Sequence, residues 1–317
     1  MRKRTLLLAV VLGLLAAVVV VNWTWGNLPD EPAPRGERAT LGDVEVRWVE
    51  RAGAGGERPP VVLLHGLPGT ADDFARVTPL LSAAGHRTIA LDRPGYGFSE
   101  GGYHPLEEQL DVLDRLLDQL AVERPIVVGH SYGGTLALAY AARHPERVRG
   151  LVLVDAAAAG QRLGTMRLAE ARMTQFLSLP VVQPAARAVF GQALLRASAA
   201  SGAEEAFSPD PVDPEYERRM LAVTMQQSDL DALAGERLAA NDEMERLDEQ
   251  LGAIAVPAVV IQARGDELVA PAIGRRLARE LPRARLVEVP GGHMVPLVHP
   301  VVVAEAASTC AAACGTH

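Results

Sequence analysis

The 317 residues carry a formal net charge of −8, with 49% hydrophobic, 22% charged and 4% aromatic residues. The apolar share supports a packed core and excludes a disordered chain. The acidic balance offers no basic stripe for nucleic acid, and two cysteines exclude a disulfide scaffold or a cysteine-rich zinc module.

At the N-terminus, Arg2, Lys3 and Arg4 precede a charge-free apolar run over residues 6–21. As a helix this run would span roughly 24 Å, short for a membrane crossing and long for a signal-peptide core. Trp23 and Trp25 follow, and tryptophan favours the membrane–water interface. Residues 1–27 are therefore expected to form an N-terminal transmembrane anchor, with a cleaved signal segment as the alternative. The basic cluster would stay cytoplasmic and send the rest of the chain to the extracytoplasmic side. Residues 28–36, with Pro29, Pro32 and Pro34, read as a Pro-rich linker.

Beyond the linker, residues 38–41 and 44–50 flank Gly42-Asp43 and predict an edge hairpin. Residues 61–64 are continuously apolar, as expected of a strand buried on both faces. The pattern then alternates. Strands are predicted at 88–91, 125–129, 151–155, 258–262 and 285–289. Helices are predicted at 105–120, 135–143, 271–281 and 301–313. Such alternation implies an α/β fold, a mostly parallel sheet with helices on both faces. Across residues 156–256 the alternation stops. This Ala-, Leu-, Arg- and Glu-rich segment is broken by prolines and reads as an inserted helical cap, leaving 37–155 and 257–317 as the core.

Gly129-His130-Ser131-Tyr132-Gly133 lies where a predicted strand runs straight into a predicted helix. Such a turn strains the serine backbone and exposes its hydroxyl at a helix N-terminus, and the flanking glycines relieve the crowding. Further motifs follow the same order along the chain: His65-Gly66-Leu67-Pro68-Gly69, residues 92–99 (DRPGYGFS), Gly265-Asp266 and Gly291-Gly292-His293. Together these make the chain, from about Val44 to its end, similar to the α/β-hydrolase superfamily, and in particular to its cap-bearing serine hydrolase branch. Ser131 in place of an aspartate distinguishes it from the epoxide hydrolases and haloalkane dehalogenases of the same architecture.

The resemblance implies a Ser131–Asp266–His293 triad. A serine needs a base, and the base needs an orienting carboxylate. Of the eight histidines, His144, His293, His299 and His317 follow Ser131. His144 closes a helix, His299 opens one and His317 is terminal, which leaves His293 on a glycine loop at the ligand-binding edge of the sheet. Asp266 is preferred as the acid. Asp155, at the end of the preceding strand, is the competitor, and Glu267 is read as solvated.

The oxyanion hole is assigned to the Tyr132 amide and, by resemblance, to that of Leu67, since Pro68 has no N–H. His65 is read as loop-holding, and Asp92 and Arg93 as loop-fixing. Met166, Met173, Met220, Met225 and Met244, with Phe176, Phe190, Phe207 and Tyr216, could line an apolar pocket or simply pack the cap. The expected activity is cleavage of an ester or related acyl bond in a small to medium, mostly apolar substrate. A lactone, prolyl amide, carbon–carbon bond or haloperoxidase-like reaction remains open on the same residues. No cofactor or metal is expected, Cys310 and Cys314 receive no role, and the expected partners are the substrate and, through residues 1–27, a membrane.

Overall fold

The computed structural model describes residues 13, 15–17, 20, 33–55, 58–158, 160, 192–224 and 227–313. The segment 1–27, expected as a transmembrane anchor, lies outside the described residues except for five helical positions. Among the described residues no helix is long and apolar enough to cross a membrane, so a membrane-spanning helix has no support in this structure.

Among the described residues eight strands, numbered in chain order, form one sheet in the order β1-β2-β4-β3-β5-β6-β7-β8. They are β1 Glu37–Leu41, β2 Val44–Arg51, β3 Arg58–Leu64, β4 His86–Leu91, β5 Ile126–His130, β6 Gly150–Val154, β7 Ala258–Ala263 and β8 Ala284–Val289. β1 and β2 form the expected hairpin, with Gly42 at φ +72° in its turn, a backbone region that favours glycine. β2 runs antiparallel to β4, and every later pairing is parallel.

The continuous apolar runs of the central strands are explained by burial on both faces. On β3, Val62 and Leu64 join Val127, Leu151, Leu153 and Val260 in one core layer. Val61 and Leu63 point the other way and join Val128, Val152, Val154 and Ile261. This is the two-residue period of a strand sorting side chains between two helical layers. The helix Leu106–Gln119 seals the first layer with Leu106, Leu110, Leu113 and Leu117, and Glu107 and Glu108 in its first turn suit its dipole. The helix Pro300–Ala313 closes the second layer with Val303, Ala304 and Ala307.

The sequence reading misses the short helix Thr78–Ala83. Its six residues carry no side-chain cap and too few turns for a periodic signal. Between β6 and β7 the described residues are helical at Gln192–Phe207, Pro214–Arg219 and Gln227–Asp248.

Strand register fixes the site. Leu64 pairs with Gly129, and Val154 pairs with both His130 and Ile261. The residues that follow these strand ends, His65, Ser131, Asp155 and Asp266, therefore emerge at one edge of the sheet, where parallel α/β sheets place their ligands.

Candidate active site

Ser131 has φ +54° and ψ −124°, a conformation that a residue with a side chain rarely adopts. The strain is locked by the turn. Ser131 N–H donates to Val154 O at 2.9 Å, while Ser131 O accepts from Gly134 and Ala157 at 2.8 and 3.0 Å. A Cβ on Gly129 would collide with the Gly133 carbonyl, and one on Gly133 with the Leu64 and His65 carbonyls. Those two glycines are what allows the strand to enter the helix Tyr132–Arg143 so abruptly. Ser131 itself lines a cavity of about 510 Å³.

His293 lines the same cavity. Its Nδ1 lies 2.7 Å from Asp266 Oδ2, and both side chains are buried. The other oxygen of Asp266 accepts from the Leu268 and Val269 amides, each at 2.8 Å. Three N–H donors thus converge on one carboxyl group. No hydrogen bond joins Ser131 to His293 in this structure. Such contacts often tighten only once substrate is bound.

Asp155 occupies the competing acid position, but it is engaged differently. Its Oδ1 accepts from Ala263 N–H at 2.7 Å and from Gln262 Nε2 at 3.0 Å. Burial, and then the charge of Asp266, push the Asp155 carboxyl well above the usual range. The carboxyl of Asp155 and the rings of His130 and His293 also lie within 4.8 Å of one another, a spacing that could hold a metal ion. Their chemistry fits a hydrogen-bonded cluster better, because Asp266 already occupies His293 Nδ1 and Asp155 Oδ1 already accepts from Ala263 and Gln262.

His130 packs behind the site as a structural residue that the sequence does not single out, whereas the sequence reading places His65 and Arg93 as loop residues. Burial, and then His293, lower His130 to about 3, so its neutral Nε2–H donates to the His293 carbonyl at 2.9 Å. His65 holds its loop as expected. Its Nε2 accepts from Arg93 N–H at 2.9 Å, which leaves Nδ1–H to donate to Gly66 O at 2.9 Å. Burial, and then Arg93, keep His65 well below its ordinary value, in agreement with that neutral tautomer. Neither the Leu67 nor the Tyr132 amide is engaged by a protein acceptor among the described residues.

Of the residues expected to line the pocket, Met220 and Tyr216 do so, and Met294, unremarked in the sequence, joins them. Met244 and Phe207 are buried in hydrophobic clusters instead. Met166, Met173, Met225, Phe176 and Phe190 lie outside the described residues. Asp73 also lines the cavity. Burial raises it from 3.8 to about 6, against the opposing effect of Arg219 at 3.4 Å. Its importance has no local signal, since it also closes the capping box of a short 3-10 turn with Thr70.

The sequence resembles three kinds of protein to different extents. It is 35% identical over 140 residues to the dihydrolipoyllysine-residue acetyltransferase component of the acetoin cleaving system of Pseudomonas putida, covering 44% of this chain but only 37% of that one. It is 30% identical over 264 residues to the 2-hydroxy-6-oxononadienedioate/2-hydroxy-6-oxononatrienedioate hydrolase of Cupriavidus pinatubonensis, covering 77% and 83% of the two chains. Among solved structures, the enol-lactonase of Burkholderia xenovorans superposes with a TM-score of 0.71 at 24% identity, over 86% of this chain and 99% of that one. This last likeness establishes the fold alone. The match to the alpha/beta hydrolase fold family runs over residues 59–300, from β3 through β8 with the serine elbow and the histidine loop, and the chain belongs to that family.

Proposed function

We propose that the protein is a serine hydrolase that cleaves an ester or related acyl bond through a Ser131–Asp266–His293 triad. The observation that carries this reading is the 2.7 Å contact from His293 Nδ1 to Asp266 Oδ2, made by an imidazole that shares a cavity wall with the strained Ser131. Ser131 Oγ attacks the substrate carbonyl and passes its proton to His293 Nε2. Asp266 holds the tautomer and stabilises the imidazolium. The Leu67 and Tyr132 amides receive the oxyanion, and loss of either donor costs about 3 kcal/mol of transition-state stabilisation. His293 then protonates the leaving group, and water releases the acyl group from Ser131 by the reverse proton path.

The substrate is small to medium and mostly apolar. Leu67, Tyr216, Met220, Leu268, Val269 and Met294 line the cavity and support this choice. Segment 156–256 acts as a cap, a role supported by the cavity residues Glu205, Tyr216, Met220 and Arg237 that it contributes. The apolar run over residues 6–21 behind three basic residues supports membrane attachment with the hydrolase on the extracytoplasmic side. Membrane fractionation of the full-length protein tests that placement.

A second reading uses the same residues on a carbon–carbon bond. It is favoured by the similarity to the Cupriavidus hydrolase over most of both chains. The discriminating experiment is a turnover screen of p-nitrophenyl esters of increasing acyl length, lactones, prolyl amides and a 2-hydroxy-6-oxo-dienoate. The acyl reading predicts the open-chain esters as the best substrates. A preference for the dienoate would establish the second reading.

A further inference from the structure

Both amides assigned to the oxyanion are braced by one helix from the segment between β6 and β7. The helix Gln227–Asp248 carries Glu236 and Glu243, seven residues apart and therefore close to one face. Both are buried. Glu236 takes the Arg93 guanidinium bidentately, Oε1 from Nη1 at 2.5 Å and Oε2 from Nη2 at 3.1 Å. It also accepts from Tyr96 Oη at 2.8 Å and from Gln109 Nε2 at 2.6 Å. Arg93 in turn donates through Nη2 to Gly66 O at 2.8 Å and through Nε to His65 O at 3.1 Å. One turn pair further along, Glu243 accepts from Tyr132 Oη at 2.5 Å, and the Arg93 guanidinium lies 5.1 Å from the Tyr132 ring centroid.

The Gly66 carbonyl and the Leu67 N–H belong to the same peptide unit. That unit is planar, so fixing the direction of the carbonyl fixes the direction of the N–H at its other end. Arg93 Nη2 and His65 Nδ1 both hold this carbonyl. Arg93 and Glu236 are both fully or almost fully buried, at 0% and 1% exposure. Without Glu236, the guanidinium would be left without its counter-charge inside the protein and would turn toward another acceptor or water. The Gly66–Leu67 peptide would then lose one of its two anchors.

Building on the serine hydrolase reading above, we propose that Glu236 is a positioning residue: through Arg93 it sets the angle of the Gly66–Leu67 peptide, so the oxyanion hole is complete only when the helix Gln227–Asp248 is seated on the core. Closure of that helix and activation of the site are thereby one event.

The test is turnover per active site in the full chain, with sites counted by fluorophosphonate titration. Glu236→Gln lowers kcat by about 10- to 100-fold while KM stays within about threefold. It slows fluorophosphonate labelling by a similar factor, because the phosphonyl oxygen occupies the same hole. Arg93→Lys keeps the charge pair but has no fork to reach the Gly66 carbonyl. It shows the same kcat loss with a smaller fall in melting temperature, and the two changes combined add little to either alone. A purely structural ion pair would change the folded fraction and leave kcat per titrated site alone. Wild-type kcat per site in either folded variant, or a loss confined to KM, overturns the proposal. If Glu236→Gln does not fold, Arg93→Lys decides the matter alone. Turnover that survives Ser131→Ala would overturn the underlying hydrolase reading and this inference with it. A silent Ser131→Ala beside an unimpaired Glu236→Gln overturns this inference only.

Discussion

Asp155 and Asp266 face the same histidine: Asp266 Oδ2 lies 2.7 Å from His293 Nδ1, and the Asp155 carboxyl comes within 4.8 Å of the His293 ring. They are not equivalent. Asp155 is completely buried at the end of β6, and its Oδ2 has no hydrogen-bond partner among the described residues. Burial, and then the charge of Asp266, push its carboxyl well above the usual range. An asparagine there would still accept at Oδ1 from Ala263 and Gln262. It would also tolerate the φ of +44° at this position. Asp155→Asn is therefore expected to retain turnover, whereas Asp266→Asn lowers kcat by about 10³- to 10⁴-fold. Steady-state kinetics of the two purified variants decide between them, and the reverse ranking would transfer the acid role to Asp155.

Asp73 gives a pH dependence whose sign is fixed by its shift. Its value in the folded protein, about 6, lies above the ordinary 3.8, so folding favours the protonated form. The stability this supplies is fully present below about pH 4 and is lost as pH rises through 6. Asp73→Asn removes that dependence. Relative to the wild type, it should gain up to about 3 kcal/mol between pH 4 and 7, less whatever is lost at the Arg219 pair. Urea unfolding of both proteins across this range measures the difference. Parallel curves would show that Asp73 does not titrate there.

Gly66 is constrained by contact. A Cβ at this position would lie 2.8 Å from Ser131 Cβ and 3.3 Å from His130 Nδ1. Gly66→Ala must push the loop off the nucleophile, and a displacement of about 1 Å at a reacting group can cost about 10²-fold in rate. Turnover should fall by that order while the melting temperature changes little, because the crowding is local.

Arg47 and Asp92 form a second buried ion pair, with Nη1 3.1 Å from each carboxyl oxygen. Asp92 also accepts from the Ala71 and Phe98 amides, at 2.7 and 2.9 Å. Arg47→Met would leave Asp92 buried without its counter-charge and should cost about 3–5 kcal/mol in equilibrium unfolding. The loss should appear in stability, with kcat per folded molecule retained.

The elbow at Ser131 and the loop at His293 were legible in the sequence because their signals are local. Glycines two residues either side of a serine, and a histidine behind two glycines, report backbone constraints that hold wherever the chain folds that way. The central strands were equally plain, because burial on both faces leaves an uninterrupted apolar run. What stayed hidden was set by distant partners. Glu236 and Glu243 sit in a helix rich in charge, which composition reads as a solvated face. Their burial depends on Arg93 and Tyr132, which lie 143 and 111 residues away in the chain. The upward shift of the Asp155 carboxyl likewise comes from burial and then from Asp266, whose approach no spacing in the sequence reveals.

The most direct test of the central claim is intact-mass analysis of the protein after exposure to a fluorophosphonate, with peptide mapping of the adduct and p-nitrophenyl acetate hydrolysis measured alongside. The account predicts one adduct per chain on Ser131 in the wild type, and neither adduct nor hydrolysis in Ser131→Ala. An adduct on another residue, or undiminished hydrolysis by Ser131→Ala, would contradict it.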